Sequence, residues 1–410
     1  MKKVIIGGRL IDGTGRDPID NSLIIVENEY ISYAGEINES VIAEKCPDQY
    51  EKIDARGLTI IPGIIDCHIH LCGILGKDAR DWVLESKTQQ AIVSVTEAER
   101  LINSGITTVC DISQNGLYLK KLVQTSKIVG PRIIACGRGL CRLGGYIDCS
   151  GLPVEAINEL HPWAVICDGV EEIRKGIRKL VREGADGVKI WATSSGVAKR
   201  PTDTNQHYSY EEMQIAVEEA EFIKMPIFAR CESIQVTKTA LSAGIKNIIH
   251  GEELDEECLE LMKQKNTIFM PTLKTALDWL EYNYDEIPLR KNLVANFKKV
   301  YEREIKIAVA SDTFCQAVTP YGVTTLQELY AMADAGMSLM DVIVSATKIG
   351  AEAIGMSQFI GTIEQGKFAD LLIIEKNPLE DIRNISPENM SLIMQNGQHI
   401  KSDERCIDYE

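Results

Sequence analysis

Histidine is scarce in this sequence, with six histidines among 410 residues. The sequence also lacks any apolar run of about 18 residues, the length that a membrane-spanning helix needs. The amino-terminal stretch MKKVIIGGRL contains an apolar run that is too short for a signal peptide. The lack of a long apolar run argues against a membrane protein. With no signal peptide recognisable at the amino terminus, we predict a cytoplasmic location.

Positive charge is in the minority, since 44 lysines and arginines stand against 60 aspartates and glutamates, for a net charge of −16. This balance, without a compensating basic patch, argues against nucleic acid or an anionic membrane as a partner. No two cysteines have the CxxC spacing, and we interpret the twelve cysteines as reduced thiols. The cysteine spacing therefore gives no reason to expect a zinc ribbon. We also expect a small-molecule substrate and a homo-oligomer.

Two patterns of hydrophobicity divide the chain. Residues 1–60 and 356–410 contain short apolar strands punctuated by glycine, such as KKVIIGG and SLIIVEN. Between them, residues 61–355 alternate eight short apolar strands with amphipathic helical stretches, which is typical of βα units around a parallel sheet. We predict an α/β protein with a (β/α)8 TIM barrel over residues 61–355. The two terminal segments together would build a small β-sandwich domain.

The stretch PGIIDCHIH ends the first barrel strand with His68 and His70. Side chains two residues apart on a strand share one face, so the two imidazoles form half of a candidate metal site. In a parallel barrel the chemistry lies at the carboxyl ends of the strands, where other polar residues can complete the site. Those residues are Lys189, Arg230, Glu232, His250 and Asp312.

Lys189 and Asp312 each have two interpretations. Burial lowers the pKa of a lysine, and the neutral amine of Lys189 can take up carbon dioxide to form a carbamate, an anionic ligand for metals. Alternatively, Lys189 stays uncarboxylated and pairs with Asp312 or Glu232. Asp312 can ligate a metal and accept a proton from bound water, whose pKa a metal brings to ~7. Its alternative role is that of a helix N-cap.

The motifs PGIIDCHIH, GITTVCD, GADGVKI, IIHG and ASD, with the tail GTIEQGKFADLLII, resemble the amidohydrolase superfamily, in its branch related to Xaa-Pro dipeptidases and imidazolonepropionases. The resemblance covers nearly the whole chain. It implies one or two divalent metals, for which we expect zinc, and hydrolysis of an amide or related C–N bond. It also implies that His68, His70 and Asp312 hold one metal, that His250 helps to hold a second, and that carboxylated Lys189 bridges them. Lys189, His250 and Asp312 are therefore the candidate catalytic residues.

The fifth strand departs from this family pattern. Relatives in the branch usually end it with a histidine, often as AHAHG, whereas PIFARCES puts Arg230 and Glu232 at the two inward positions. A guanidinium has no lone pair to offer a metal. Three alternatives follow: Glu232 replaces the missing ligand, the protein holds a single metal, or Arg230 supplies the positive charge of the second metal.

Two loops also depart from the pattern. LGGYID after the third strand carries Tyr146, and TPYGV after the eighth carries Tyr321, where relatives tend to have histidine. Both tyrosines keep a hydrogen-bonding tip but lose a group that titrates near neutral pH. His207, in the loop after the fourth strand, is a further candidate for substrate contact. These changes predict an altered substrate or reaction.

We predict metal-dependent hydrolysis of an amide in a small polar or anionic molecule, such as an N-acyl amino acid, a dipeptide or a cyclic amide. Asp312 would activate water, while Arg230, Tyr146 and Tyr321 would orient the substrate, Arg230 by gripping a carboxylate. The first alternative is a mononuclear-metal deaminase of a heterocycle, with Glu232 as the carboxylate near the cavity. The second is a non-catalytic binding protein that keeps the barrel.

Overall fold

The computed structural model describes residues 2–76, 79–148, 152–193, 206–283, 287–402 and 407–409. In these ranges the strands are β1 (Lys2–Ile6), β2 (Arg9–Leu10), β3 (Ser22–Glu27), β4 (Tyr30–Glu36), β5 (Glu51–Asp54), β6 (Thr59–Pro62), β7 (Ile64–Ile69), β8 (Ile106–Asp111), β9 (Arg132–Ala135), β10 (Gly139–Cys141), β11 (Ala164–Ile166), β12 (Val188–Trp191), β13 (Ile227–Cys231), β14 (Asn247–His250), β15 (Ile268–Met270), β16 (Lys306–Ile307), β17 (Leu371–Ile374), β18 (Met390–Gln395), β19 (Gln398–Ser402) and β20 (Ile407–Tyr409).

The α-helices in the same ranges are α1 (Glu39–Lys45), α2 (Ala79–Leu84), α3 (Lys87–Asn103), α4 (Gln114–Gln124), α5 (Val154–Leu160), α6 (Gly169–Glu183), α7 (Tyr210–Phe222), α8 (Ile234–Ala243), α9 (Glu256–Gln264), α10 (Leu273–Asn283), α11 (Ile287–Glu302), α12 (Val323–Asp334), α13 (Leu339–Val344) and α14 (Gly350–Ala353). A π-helical turn, Ser345–Ile349, joins α13 to α14. No helix in the described part of the chain combines the length and apolarity needed to cross a bilayer.

The middle of the chain forms a closed parallel barrel. Strands β7, β8 and β9 pair in one parallel sheet, and β10 and β12 to β16 pair in a second, with β11 at its edge. The first strand meets the last through a parallel bridge between Ile69 and Thr313 and through a 2.9 Å hydrogen bond from the Asp312 amide to the His68 carbonyl. All eight predicted barrel strands are present, so the predicted barrel is confirmed.

One connection differs from the prediction. The sequence predicts a loop after the third strand, where LGGYID carries Tyr146, but the connection 138–168 also contains the short strands β10 and β11 and the helix α5. β10 continues the third barrel strand and pairs with β12, while β9 pairs with β8. Apolar runs of three residues, such as GLC and AVI, are too short to show strand periodicity in a sequence.

The chain termini together build two five-stranded sheets. In one, β20 pairs antiparallel with β5, and in the other, β17 pairs antiparallel with β6. Apolar side chains of both sheets, including Ile5, Ile24, Leu371 and Ile373, pack in one fully buried cluster. Burying each such side chain contributes about 1.5–3 kcal/mol, which explains why the two ends of the chain stay together. This is the predicted β-sandwich arrangement.

Helix α7 begins at a capping box, which the sequence encodes as Ser209 followed three residues later by Glu212. The Ser209 hydroxyl accepts a hydrogen bond from the Glu212 amide, and the Glu212 side chain accepts one from the Ser209 amide. Apolar side chains at helical spacing along α7 are buried, including Met213, Ala216 and Ala220. They pack in a hydrophobic cluster with residues of the barrel strands, so this face of α7 serves core packing.

Candidate metal centre

The carboxyl end of the barrel brings together His68, His70 and Asp312. His68 and His70 lie at the end of β7, and Asp312 follows β16, 242 residues beyond His70. The Oδ1 atom of Asp312 lies 3.1 Å from His68 Nε2 and 3.2 Å from His70 Nε2. In the described part of the chain, this is the group of histidine, cysteine and carboxylate side chains that is close enough to hold a metal.

Both histidines offer electron pairs to this point. The Nδ1 atom of His70 lies 2.8 Å from the carbonyl oxygen of Ile112, to which it donates, so Nε2 faces Asp312 as the electron-pair donor. His68 is fully buried, and neither ring nitrogen has a hydrogen-bond partner among the described residues. Burial, with the charge of Lys189, lowers the pKa of His68 to about 3, so its imidazole is neutral.

Two imidazoles and one carboxylate around a single point are a donor set for a divalent cation. Both Nε2 atoms face the same Asp312 oxygen, and neither nitrogen of the buried His68 ring makes a hydrogen bond among the described residues, a burial cost that a cation among these atoms would offset. The residues present therefore fit one metal ion.

Buried polar contacts hold the two strand ends that carry these ligands. Asp66 accepts hydrogen bonds from the amides of His68 and Ser311 at 3.2 and 3.0 Å, and from the Thr325 hydroxyl at 2.6 Å. Asp66 thus ties β7 to the segment after β16. The positions of the ligands depend on this network, because interactions around a metal's ligands orient them.

Tyr321 lies behind His70. It is 2% exposed, and its hydroxyl donates a 2.5 Å hydrogen bond to the backbone carbonyl of His70. This hydrogen bond connects Tyr321 to the strand end that carries a metal-ligand candidate. The contact of Tyr321 with a substrate stays a prediction.

A second buried group surrounds Arg230, at the end of β13. Its Nη1 atom donates to His250 Nε2 at 2.7 Å, and its Nη2 atom forms a short ion pair with Glu232 Oε1. The guanidinium carbon lies 4.5 Å from the ring centre of Tyr146 and 5.7 Å from that of Trp191. The predicted residues Arg230, Glu232, His250 and Tyr146 are thus brought together in one contact group.

Three consecutive strand ends carry strained backbone. His250, Thr272 and Asp312 have φ values of 74°, 48° and 54°, in the left-handed region. Each such residue costs about 1–3 kcal/mol, and a β-branched residue such as threonine is rarely found there. Thr272 is also a contact that sequence reasoning missed, since its Oγ1 atom lies 2.7 Å from His250 Nδ1. Strain of this kind is typical of functional sites.

Lys189 lies fully buried in β12, with no hydrogen-bond partner for its Nζ atom among the described residues. No described ion pair joins it to Asp312 or Glu232. Its ammonium lies 4.8 Å from the ring centre of Trp191. Burial, followed by the charge of Arg230, lowers the pKa of Lys189 to about 7, so a large fraction of the amine is neutral at neutral pH.

Aromatic rings shield His70 on its outer side, and sequence reasoning did not find them. The rings of Trp163 and Trp191 lie 5.1 and 6.0 Å from that of His70, and Trp82 lies 5.0 Å from Trp163. Trp163 sits in the 138–168 connection, where no pattern marks it as a neighbour of the metal ligands. The remaining predicted residue, His207, packs near Gly145 and lines a surface cleft of about 850 Å³.

Residues 59–400 match the family model described as the amidohydrolase family, and the chain belongs to that family. Ochratoxinase from Aspergillus niger is 28% identical, over 93% of this chain and 82% of its own. The crystal structure of a Xaa-Pro dipeptidase with bound methionine has a TM-score of 0.85 and 26% identity, covering 98% of this chain and 100% of that one. Imidazolonepropionase from Caldanaerobacter subterraneus subsp. tengcongensis is 20% identical, over 89% of this chain and 86% of its own.

These findings confirm the predicted family and fold. They also support the prediction that the chain is an enzyme, a hydrolase that acts on C–N bonds.

Proposed function

We propose that the protein is a metal-dependent hydrolase of the amide bond in a small N-acyl amino acid or dipeptide. The observation that carries this proposal is the group of His68, His70 and Asp312 at the mouth of the barrel, within 4.8 Å of one another. Similarity to an ochratoxinase and to a Xaa-Pro dipeptidase supports this substrate class. We propose zinc as the metal, because imidazole and carboxylate ligands suit it.

Asp312 is the proposed proton carrier. Its Oδ1 atom faces the two histidines, which leaves Oδ2 to accept a proton from the attacking water and to return it to the leaving nitrogen. Its side chain is 16% exposed, so solvent and substrate can reach it. A divalent metal bound here would polarise the scissile carbonyl and bring the pKa of a bound water to ~7.

Arg230 keeps donors for the substrate. A guanidinium has five N–H groups, of which one on Nη1 is used on His250 and one on Nη2 on Glu232, and the buried Nε has no hydrogen-bond partner among the described residues. We propose that Nε donates to an acceptor oxygen of the substrate, such as an oxygen of the carboxylate that the sequence predicts Arg230 to bind. The Tyr146 ring, packed against the guanidinium, would form a wall beside that oxygen.

Lys189 is the proposed site of a carbamate. The amine is buried and unpartnered in the described structure, and its pKa of about 7 leaves it nucleophilic enough to take up carbon dioxide at neutral pH. The resulting anion would offset part of the buried positive charge of Arg230, whose field acts on this position.

Hydrolysis is tested with zinc-loaded protein and a panel of N-acyl amino acids and dipeptides. We expect turnover by the native protein and a loss of at least ~100-fold in the Asp312→Asn variant, a size typical of removing a general acid or base. Asp334→Asn, at an exposed aspartate paired with Arg383, is the matched control and should keep full activity. Normal turnover by Asp312→Asn would contradict the assignment.

The same panel separates the alternatives. Ammonia release from heterocycles, with none of the amides cleaved, would identify a deaminase. The geometry does not favour that reading, because Glu232, the carboxylate it requires, is held by Arg230. Ligand binding without turnover of any compound would identify a binding protein.

A further inference from the structure

Arg230 and His250 share a hydrogen bond that determines what His250 can do. The two residues are 6% and 5% exposed, and His250 lies beside the metal-binding group, with its ring 6.0 Å from that of His68. A guanidinium can only donate hydrogen bonds and does not lose its proton in proteins. His250 Nε2 must therefore accept, and its electron pair is taken by Arg230 Nη1 at 2.7 Å.

The other side of the His250 ring is used as well. With Nε2 accepting, the proton lies on Nδ1, which donates to Thr272 Oγ1 at 2.7 Å. The Thr272 hydroxyl in turn donates to the carbonyl oxygen of Pro271 at 2.8 Å. In this series of hydrogen bonds, from Arg230 through His250 and Thr272 to Pro271, each donor meets an acceptor. His250 therefore keeps no electron pair for a metal.

Glu232 is engaged by the same guanidinium. It is 8% exposed, and its Oε1 atom pairs with Arg230 Nη2. His250 and Glu232 are also absent from the described group of side chains that is close enough to hold a metal, which consists of His68, His70 and Asp312. A second cation near His250 would have to displace Arg230 from both partners.

The surroundings hold Arg230 in this position. Its guanidinium packs on the faces of Tyr146 and Trp191, whose rings stack on each other with centres 4.8 Å apart. These cation–π contacts and the two hydrogen bonds stabilise the guanidinium in its buried position.

We propose that Arg230 takes the place of a second metal ion, so that the site binds one divalent ion, held by His68, His70 and Asp312. His250 then serves as the acceptor that anchors the guanidinium. This inference deepens the proposed function, on which it rests only for the identity of the site, because it names the fixed cation that faces the substrate beside the metal.

The test is zinc stoichiometry. Wild-type protein and variants are saturated with zinc, desalted, and analysed for zinc per chain by mass spectrometry, with thermal unfolding as a check of folding. We expect one zinc in the wild type and one in His250→Gln, whose amide oxygen can still accept from Arg230. We expect two in Arg230→His, which frees His250 and Glu232 and adds an imidazole. Arg178→His, at an exposed arginine paired with Glu219, is the matched control and should bind one.

Several results would overturn the proposal. These are two zinc ions in the wild type, loss of zinc from folded His250→Gln, or no gain in folded Arg230→His. Anomalous scattering at the zinc edge provides a second readout, since density bonded to His250 Nε2 in the wild type would refute the assignment directly. Zinc counting is independent of turnover, so a protein that binds one zinc but cleaves no amide would refute the proposed function alone.

Discussion

Replacing Arg230 with methionine should destabilise the protein far more than the loss of a surface arginine. Arg230 and Glu232 have side chains that are 8% and 9% exposed, so the change leaves a buried carboxylate without its partner. Breaking a buried ion pair in this way costs about 3–5 kcal/mol. His250 also loses its donor, but its neutral nitrogen is cheaper to leave unpaired than a charge.

The loss of stability in Arg230→Met should come mainly from the unpaired Glu232 carboxylate. A second substitution, at Glu232, separates this contribution from that of the other lost contacts. In Arg230→Met/Glu232→Leu both charges are replaced by apolar groups, and such exchanges are often neutral or stabilising. We therefore expect the double variant to recover most of the stability that Arg230→Met loses. Glu232→Leu alone should be destabilised as well, because Arg230 then remains buried without a counter-charge.

The assay is urea unfolding of metal-free protein, with chelator present so that zinc binding does not mask the change. The matched control is Arg383→Met, at a surface pair with Asp334 whose side chains are 51% and 61% exposed. Exposed pairs of this kind contribute about 0–1 kcal/mol. If Arg230→Met unfolds at the same urea concentration as Arg383→Met, the reasoning about the buried pair is refuted.

Two further predictions concern Tyr321 and Lys189. Tyr321→Phe should lower the free energy of unfolding by about 0.5–1.5 kcal/mol, because the His70 carbonyl loses the hydroxyl donor but keeps the Cys72 amide, and should also weaken zinc retention against a chelator. A raised KM for substrate with unchanged stability would instead favour the substrate contact that the sequence suggested. The carbamate on Lys189, followed by NMR with ¹³C-bicarbonate, should increase as the pH rises through about 7, because only the neutral amine reacts. A signal of equal size in Lys189→Met would contradict the assignment.

Local patterns in the sequence were sufficient for much of the architecture. Alternation along β7 puts His68 and His70 on one face, and the spacing of Ser209 and Glu212 defines the start of α7. These predictions hold because strand alternation and capping depend only on residues two or three positions apart. The order of βα units between two β-rich ends likewise predicted the barrel, and the resemblance of the strand-end motifs predicted the family.

Only the tertiary structure determines which residues Arg230 contacts. The sequence left open whether Glu232 or Arg230 replaces a metal ligand, because strand parity shows which way a side chain points but not what it meets. Pairing of β13 with β14 brings Arg230 against His250, 20 residues away, and closure of the barrel joins His70 to Asp312 across 242 residues. Thr272 lies in the site on a strained backbone, and Trp163 lies there on the long 138–168 connection. Neither feature has a periodic signal in the sequence. Side-chain contacts of this kind depend on how distant strands and loops pack together, and no local pattern encodes them.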